Sequence, residues 1–170
     1  MEYKVLKKQN NASKCFICGI HNDKGLHARY YELENEQVIA IVKGDDLHQS
    51  FPGRMHGGII SALLDETIGR AIQINYPDTW SVTIDLTTKF LKPMPLDETL
   101  YVVGYIVNQR HQVFFGEGYI CDKNQNILAT AKARYFEKNI KDILETQEDL
   151  GDEWIYVEDK QMPKSFNLPK

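Results

Sequence analysis

His56-Gly-Gly-Ile-Ile-Ser-Ala-Leu-Leu-Asp65-Glu-Thr-Ile-Gly-Arg-Ala-Ile-Gln-Ile74 is the stretch that decides the fold. Ile59, Ile60, Leu63, Leu64, Ile68, Ala71 and Ile72 recur at helical spacing, which predicts one long helix. Apolar residues cover most of its circumference, so burial nearly all round is expected. Two features do not suit a plain core helix. Gly57 and Gly58 stand at its start, where free backbone N–H groups and the positive end of the helix dipole converge. Asp65 lies two turns on, flanked by Leu63 and Leu64, and a buried acid without a partner is costly. Both point to chemistry at this helix.

Upstream, Leu26 to Leu33 and Gln37 to Val42 read as strands turning at Glu34-Asn35-Glu36. A loop rich in Pro and Gly, from Gly44 to Met55, then leads into the helix and lays its side chains beside the helix start. Pro77 predicts a helix end near Asn75-Tyr76. Downstream come four strands: Val82 to Phe90, Thr99 to Val107, Gln112 to Cys121 and Ile127 to Phe136. In the first, Val82, Ile84, Leu86 and Phe90 alternate with Thr83, Asp85, Thr87 and Lys89, as in a half-buried antiparallel strand. A tight turn is expected near Asn108-Gln109-Arg110. Ala129, Ala131 and Ala133 share one face of the last strand, small enough for a helix to approach closely. The order β-β-α-β-β-β-β is α+β, a helix packed on one face of an antiparallel sheet.

At 170 residues the chain suits one domain. It reads as 1–138, with 1–24 as an extension packed on it, and 139–170 as a C-terminal helix and acidic tail of the same domain. Residues 1–14 predict no element. Asn139 to Leu150 reads as a short amphipathic helix, Trp154–Val157 as a strand or a docked segment, and the tail with Pro163 and Pro169 as loosely held. The formal charge of −4 sits wholly in 139–170, and no basic stripe suggests nucleic acid. No apolar run reaches membrane-spanning length, no signal peptide opens the chain, and three cysteines fit a reducing compartment, so a cytoplasmic protein is expected. Cys15, Cys18 and His21 have the spacing of half a zinc site, but no second CxxC or HxxxH closes a tetrahedron. The segment therefore reads as an ordered turn with inward thiols, and no metal is expected.

His56-Gly57-Gly58, six residues, then Asp65, on an apolar helix between these strands, resembles the hotdog-fold acyl-CoA thioesterases, specifically the PaaI-like subgroup. Some members of that subgroup carry C-x-x-C-G and then N-x-x-G-L ahead of the first strand. Cys15-Phe-Ile-Cys18-Gly19 and Asn22-Asp-Lys-Gly25-Leu26 match them here. The resemblance covers residues 15–136 and is strongest over 48–72. It implies a hotdog fold, a curled antiparallel sheet around one central helix, and an acyl-CoA thioesterase that needs no cofactor, coenzyme A being part of the substrate.

The residues suit that chemistry. N–H groups of Gly57 and Gly58 polarise a thioester carbonyl without reorganising, and glycine admits the substrate to the backbone. Asp65 serves as general base toward water or as nucleophile. His56 is site-forming. Glu66 points about 100° away from Asp65 and is structural. The resemblance implies that Thr83 corresponds to a Ser or Thr beside the acid, which holds the water, against a routine outward strand threonine. Relatives often carry Asn or Gln where Ser50 stands, and Gln49 takes over that role. Arg54, Lys89, Lys92 and Arg110 are candidates for the CoA phosphates and adenine by charge alone.

The span from Gly57 to Asp65 is about 12 Å at 1.5 Å per residue, too long for one carbonyl to touch both ends. Two helices antiparallel in a homodimer solve this by sharing sites. The resemblance implies the same arrangement, with dimers often pairing into tetramers. The rival readings are a non-catalytic acyl-CoA-binding hotdog protein and, third, a hotdog hydratase or dehydratase.

Overall fold

The computed structural model describes residues 1–143 and 150–169. Glu2–Lys8 forms β1, Asn11–Ala12 β2, Arg29–Leu33 β3 and Val38–Lys43 β4. Helix α1 runs over Gly57–Gly69 and tightens into a 3-10 segment, Arg70–Ile74, that ends at Asn75. Four long strands follow: β5 (Thr79–Phe90), β6 (Thr99–Arg110), β7 (Val113–Cys121) and β8 (Ile127–Asn139). A single turn, α2 (Ile140–Ile143), then β9 (Trp154–Ile155) and β10 (Ser165–Asn167), complete the elements. The rest of the helix expected up to Leu150 falls on 144–149, outside the described residues.

Eight strands form one antiparallel sheet in the order β10-β1-β3-β4-β6-β7-β8-β5. The chain leaves β4, crosses the inner face of the sheet as α1 and enters β5 at the far edge. It then returns to place β6 beside β4, so the sheet curls around the helix. This is the hotdog fold.

The helix sits where the strands carry no side chain to stop it. A Cβ on Gly104 would lie 2.6 Å from the Thr67 carbonyl oxygen, and one on Gly116 would lie 2.2 Å from Ile68 Cγ2. Gly104 and Gly118 are paired across β6 and β7, so the bare patch is continuous and Ile68 fills it. Ala129, Ala131 and Ala133 extend the same low surface on β8, all buried. The alanines were legible as a helix seat; the glycines beside them hold the closest approach.

The structure corrects several expectations. Residues 2–8 form β1, because Val5 pairs with Leu33 and the strand continues the sheet. The tail is not loose: β10 pairs with β1, and Phe166 packs on the rings of Tyr31 and Tyr101 at 6.1 and 5.9 Å between centroids. Trp154–Ile155, within the segment read as a strand or a docked segment, is a strand that pairs with Asn11–Ala12 in a separate two-stranded sheet. The hairpin after β6 turns at His111-Gln112, with His111 at φ 54°, and Arg110 remains in the strand opposite Val113.

Strict alternation in β5 also fails. A bulge between Thr83 and Asp85 lets Thr83 oppose Tyr135 while Asp85 opposes Arg134. The bulged residue, Ile84, turns Thr83 onto the same face as Leu86 and Phe90. Finally, α1 is not buried all round. Gly58 is exposed and Ser61, Ala62 and Asp65 are half-buried, an open stripe of small residues that ends in the acid. No helix among the described residues is long and apolar enough to cross a membrane.

Candidate functional site

The loop before α1 is pinned from three sides. Asp45 caps the 3-10 turn Asp46–His48 by accepting from the Leu47 N–H at 2.8 Å. His48, buried, donates from Nε2 to the Lys24 carbonyl at 3.1 Å, and its own carbonyl accepts the His56 N–H at 2.9 Å. Gln49 Oε1 accepts from the Gly53 N–H at 2.8 Å, and Gly53 takes a left-handed φ of 72° to close that turn.

His56 is the N-cap. Its Nδ1 accepts the Gly58 N–H at 2.9 Å, and its carbonyl accepts the Ile59 and Ile60 N–H groups. Of the two glycine donors expected to face a substrate, Gly58 is committed to this cap. Gly57 N–H has no partner among the described residues and is the donor left at the dipole's positive end.

Asp65 lies two turns on, held by two hydroxyls. Thr83 Oγ1 donates to Oδ1 at 3.0 Å and lies 3.2 Å from Oδ2. Tyr135 OH lies 2.9 Å from the Asp65 carbonyl oxygen and 3.1 Å from Oδ1. Burial pushes the Asp65 carboxyl above its ordinary range, while the two hydroxyls and Glu66 pull in opposite directions. The balance is a carboxylate more basic than usual. Burial and the neighbouring Asp65 charge push the Tyr135 phenol well up, so it stays a donor at neutral pH. Sequence reasoning passed over Tyr135. The signal was present: it continues the period-two series Ala129, Ala131, Ala133 onto the helix-facing side.

Glu66 faces the other way. Its Oε1 receives Arg70 Nε at 3.1 Å and Nη2 at 2.9 Å, and Cys15 Sγ lies 3.1 Å from Oε2. Arg70 is 5% exposed and lies over the rings of Tyr30 and Trp154, at 4.1 and 4.9 Å from their centroids. Burial alone would raise the Glu66 carboxyl; the Arg70 charge and hydrogen bonds from Cys15 and Cys18 hold it below the usual range. A cavity of about 290 Å³ adjoins both acids, with Thr83, Tyr135, Trp80 and Trp154 in its wall.

The other residues singled out in the sequence lie elsewhere. Gln49, Ser50 and Arg54 are exposed on the loop before α1, where Ser50 N–H donates to the Arg54 carbonyl at 2.8 Å. Arg110 sits at the hairpin end of β6. Lys89 opposes Thr130 and borders a larger cavity of about 580 Å³ with Tyr3 and Leu168. That cavity is on the outer face of the sheet, away from α1. Despite its size it contains none of the groups around Asp65.

Residues 52–129 match the family model of the thioesterase superfamily. The chain is 22% identical over 80 residues to mouse acyl-coenzyme A thioesterase 13, a match covering 47% of this chain and 57% of that protein, so it spans little more than half of the relative. Among solved structures it is similar to a thioesterase superfamily protein at TM-score 0.66 and 22% identity, covering 71% of this chain and 62% of that one. It is also similar to a hypothetical thioesterase of Streptococcus pneumoniae solved with coenzyme A, at TM-score 0.55 and 21% identity, covering 61% and 82%. The glycine-led helix, the curled sheet around it and the matched stretch 52–129 agree: the chain has the hotdog fold, and over that stretch it is similar to the thioesterase superfamily.

Proposed function

We propose that this protein is an acyl-CoA thioesterase of the PaaI-like subgroup: an acyl-CoA and water give a carboxylic acid and the thiol of coenzyme A. The observation that carries the reading is Asp65, a basic carboxylate held by Thr83 and Tyr135 beside a cavity, at the end of the open stripe of α1. Gly57 N–H polarises the thioester carbonyl and stabilises the oxyanion that forms on it. Asp65 takes a proton from water as the water attacks, or attacks the carbonyl carbon itself to give a mixed anhydride that water then opens. Thr83 holds the acid, or the water beside it. Coenzyme A bound to the pneumococcal relative supports the CoA ester as ligand. Three free cysteines suit a reducing compartment, the cytoplasm.

The site belongs to a homodimer. Gly57 and Asp65 are about 12 Å apart along one helix, so one carbonyl meets both only if they come from two antiparallel copies of α1. The stripe of Gly58, Ser61 and Ala62 is open in the single chain, and small enough for a second helix to approach. The edge strand β5 exposes Val82, Ile84 and Phe90, at 45, 49 and 56%, apolar side chains along an edge that pairing covers.

A panel of acyl-CoAs with detection of released thiol tests the activity. Tight binding of CoA esters without turnover across short, long and aromatic acyl groups would make this a binding protein instead. Loss of the conjugated chromophore of an enoyl-CoA would make it a hydratase. The shared site has its own test: exchange subunits between Asp65→Asn and Gly57→Val. A Cβ at Gly57 meets only Phe90 ring carbons, at 3.5 Å, so the fold tolerates it. In a heterodimer one site combines both defects and the other neither. Complete random exchange should return about a quarter of wild-type activity from two nearly dead parents. Parental activity in a mixture whose heterodimers are seen by native mass spectrometry would rule out sharing.

A further inference from the structure

The CxxC turn finds a third ligand that its spacing did not announce. His21 is turned away, with Nδ1 3.2 Å from Ser13 Oγ. In its place the carboxylate of Glu66 arrives from α1, and the ligating atoms of Cys15, Cys18 and Glu66 all lie within 4.8 Å of one another. We propose that Cys15, Cys18 and Glu66 form a binding site for a thiophilic divalent cation, zinc by the nature of the ligands, with a water in the fourth position.

Four observations bear on this, none of them catalytic. First, both sulfurs accept hydrogen bonds from the groups around them. Cys15 Sγ receives the N–H groups of Ile17 at 3.3 Å and Cys18 at 3.4 Å. Cys18 Sγ receives the Ala12 N–H at 3.3 Å and lies 3.1 Å from Arg70 Nη2. A cysteine that only fills space needs none of these contacts.

Second, the turn is closed tightly enough to hold the two thiols to one side. Gly19 N–H bonds the Cys15 carbonyl at 2.8 Å, and a Cβ on Gly19 would lie 2.2 Å from that oxygen. Tetrahedral zinc with sulfur at about 2.3 Å and carboxylate oxygen at about 2.0–2.2 Å places its ligand atoms about 3.5–3.8 Å apart. The observed separations, all within 4.8 Å, come near that range.

Third, the charges close. Without metal, Glu66 and Arg70 balance and the thiols keep their protons. With metal, two thiolates and one carboxylate carry three negative charges, and the cation and Arg70 carry three positive. Binding expels two protons and leaves the buried site neutral in both states. Arg70, donating to both Cys18 and Glu66, orients the ligands from behind.

Fourth, the three residues border the 290 Å³ cavity that also reaches Asp65, so the open fourth position has room for water. Sulfur ligands select zinc over calcium or magnesium. The site would fasten the 15–19 turn to α1 one residue from Asp65.

The full chain, purified with chelator and reductant, is titrated with Co²⁺ and then Zn²⁺. About one equivalent of Co²⁺ should bind, with a sulfur-to-cobalt charge-transfer band in the near ultraviolet and tetrahedral bands in the visible, and Zn²⁺ should abolish both. Cys15→Ser should lose the charge-transfer band, while Cys121→Ser, distant on β7, should keep it. Because Cys15 Sγ takes part in closing the turn, alkylation of the wild type supplies a second reading. Zinc should slow labelling of Cys15 and Cys18 by about tenfold or more, mapped by mass spectrometry. Failure of wild type to bind either metal, a charge-transfer band that survives Cys15→Ser, or zinc bound without protection of these two thiols would overturn the proposal.

Discussion

Asp65 and Glu66 are neighbours in sequence with the same charge, and they meet opposite surroundings. About 100° of helical rotation separates them. Asp65 faces the open stripe and β5, where it is held by two neutral hydroxyls and, among the described residues, has no cation beside it. Its carboxyl is pushed up. Glu66 faces the Cys15–Gly19 turn, receives Arg70 from two nitrogens and is held down. A carboxylate clamped by a buried guanidinium is a poor base; one held by neutral donors in a partly dry site keeps its reactivity. The difference teaches that the partner on each face of α1, and not burial as such, separates the more basic acid from the less basic one.

Removing the Glu66 charge should have the largest effect on the fold. Glu66→Gln leaves Arg70 buried between Tyr30 and Trp154 without its counter-charge. Loss of one partner of a buried pair costs about 3–5 kcal/mol. Urea unfolding in the presence of chelator measures this apart from any metal. A loss under about 1 kcal/mol would show that Arg70 is satisfied without Glu66, and the contrast between the two acids would collapse.

Asp65→Asn should do the reverse. Thioester turnover should fall by about 100-fold or more if the acid acts in the chemical step. Stability at neutral pH should hold or rise. The folded-state pKa of Asp65 is raised, so the native chain holds this proton more tightly than the unfolded chain. Its contribution to stability is therefore full below the ordinary carboxylate range and is lost as pH rises through the raised value. Asparagine escapes that loss and still offers an acceptor to Thr83 and Tyr135. The stability gap between variant and wild type should close in acid. A variant that is both inactive and markedly less stable at neutral pH would make Asp65 a structural residue.

The same contrast separates what was legible in the sequence from what was not. Helical spacing on both sides of Asp65 exposed the α+β plan, because burial periodicity is written into every turn of α1. Glu66 was read as structural from the 100° rotation alone. The structure then supplied Arg70, which lies one turn along the same helix and pairs by ordinary i,i+4 geometry. Contacts made across the fold were out of reach. Glu66 meets Cys15 across a sequence separation of 51, and no local spacing predicts such a pair. The bulge at Ile84 hid in a strand whose alternation looked perfect on paper, and it reverses which face Thr83 joins. β1 and β10 were missed because β1 has lysines and a glutamate between its few apolar residues and β10 is an edge strand of three residues, so neither pattern stands out from a loop until its partner strand is present.

The smallest expected effect tests the finest part of the comparison, the hold of Thr83 on Asp65. Thr83→Val keeps the shape of the side chain and removes only the hydroxyl, which bonds Oδ1 at 3.0 Å. Thr83 is exposed, so global stability should change little. One hydrogen bond is worth about 0.5–1.5 kcal/mol, which sets the expected loss in kcat at about 2–12-fold. A structural role and a positioning role both allow a loss of that size, so the rate alone does not decide. The pH profile does. The Thr83 hydroxyl stabilises the ionised acid, and its removal should move the Asp65 pKa further up. Catalysis requires the ionised form, so activity falls as pH drops through that pKa, and the fall should begin at higher pH in Thr83→Val than in wild type. Thr83→Ser, which restores the hydroxyl, should return the limb to its original position. If the acid limb stays in place in Thr83→Val while kcat falls, Thr83 contacts the substrate or the water and does not tune Asp65. If neither moves, the bulge at Ile84 serves the packing of β5 alone.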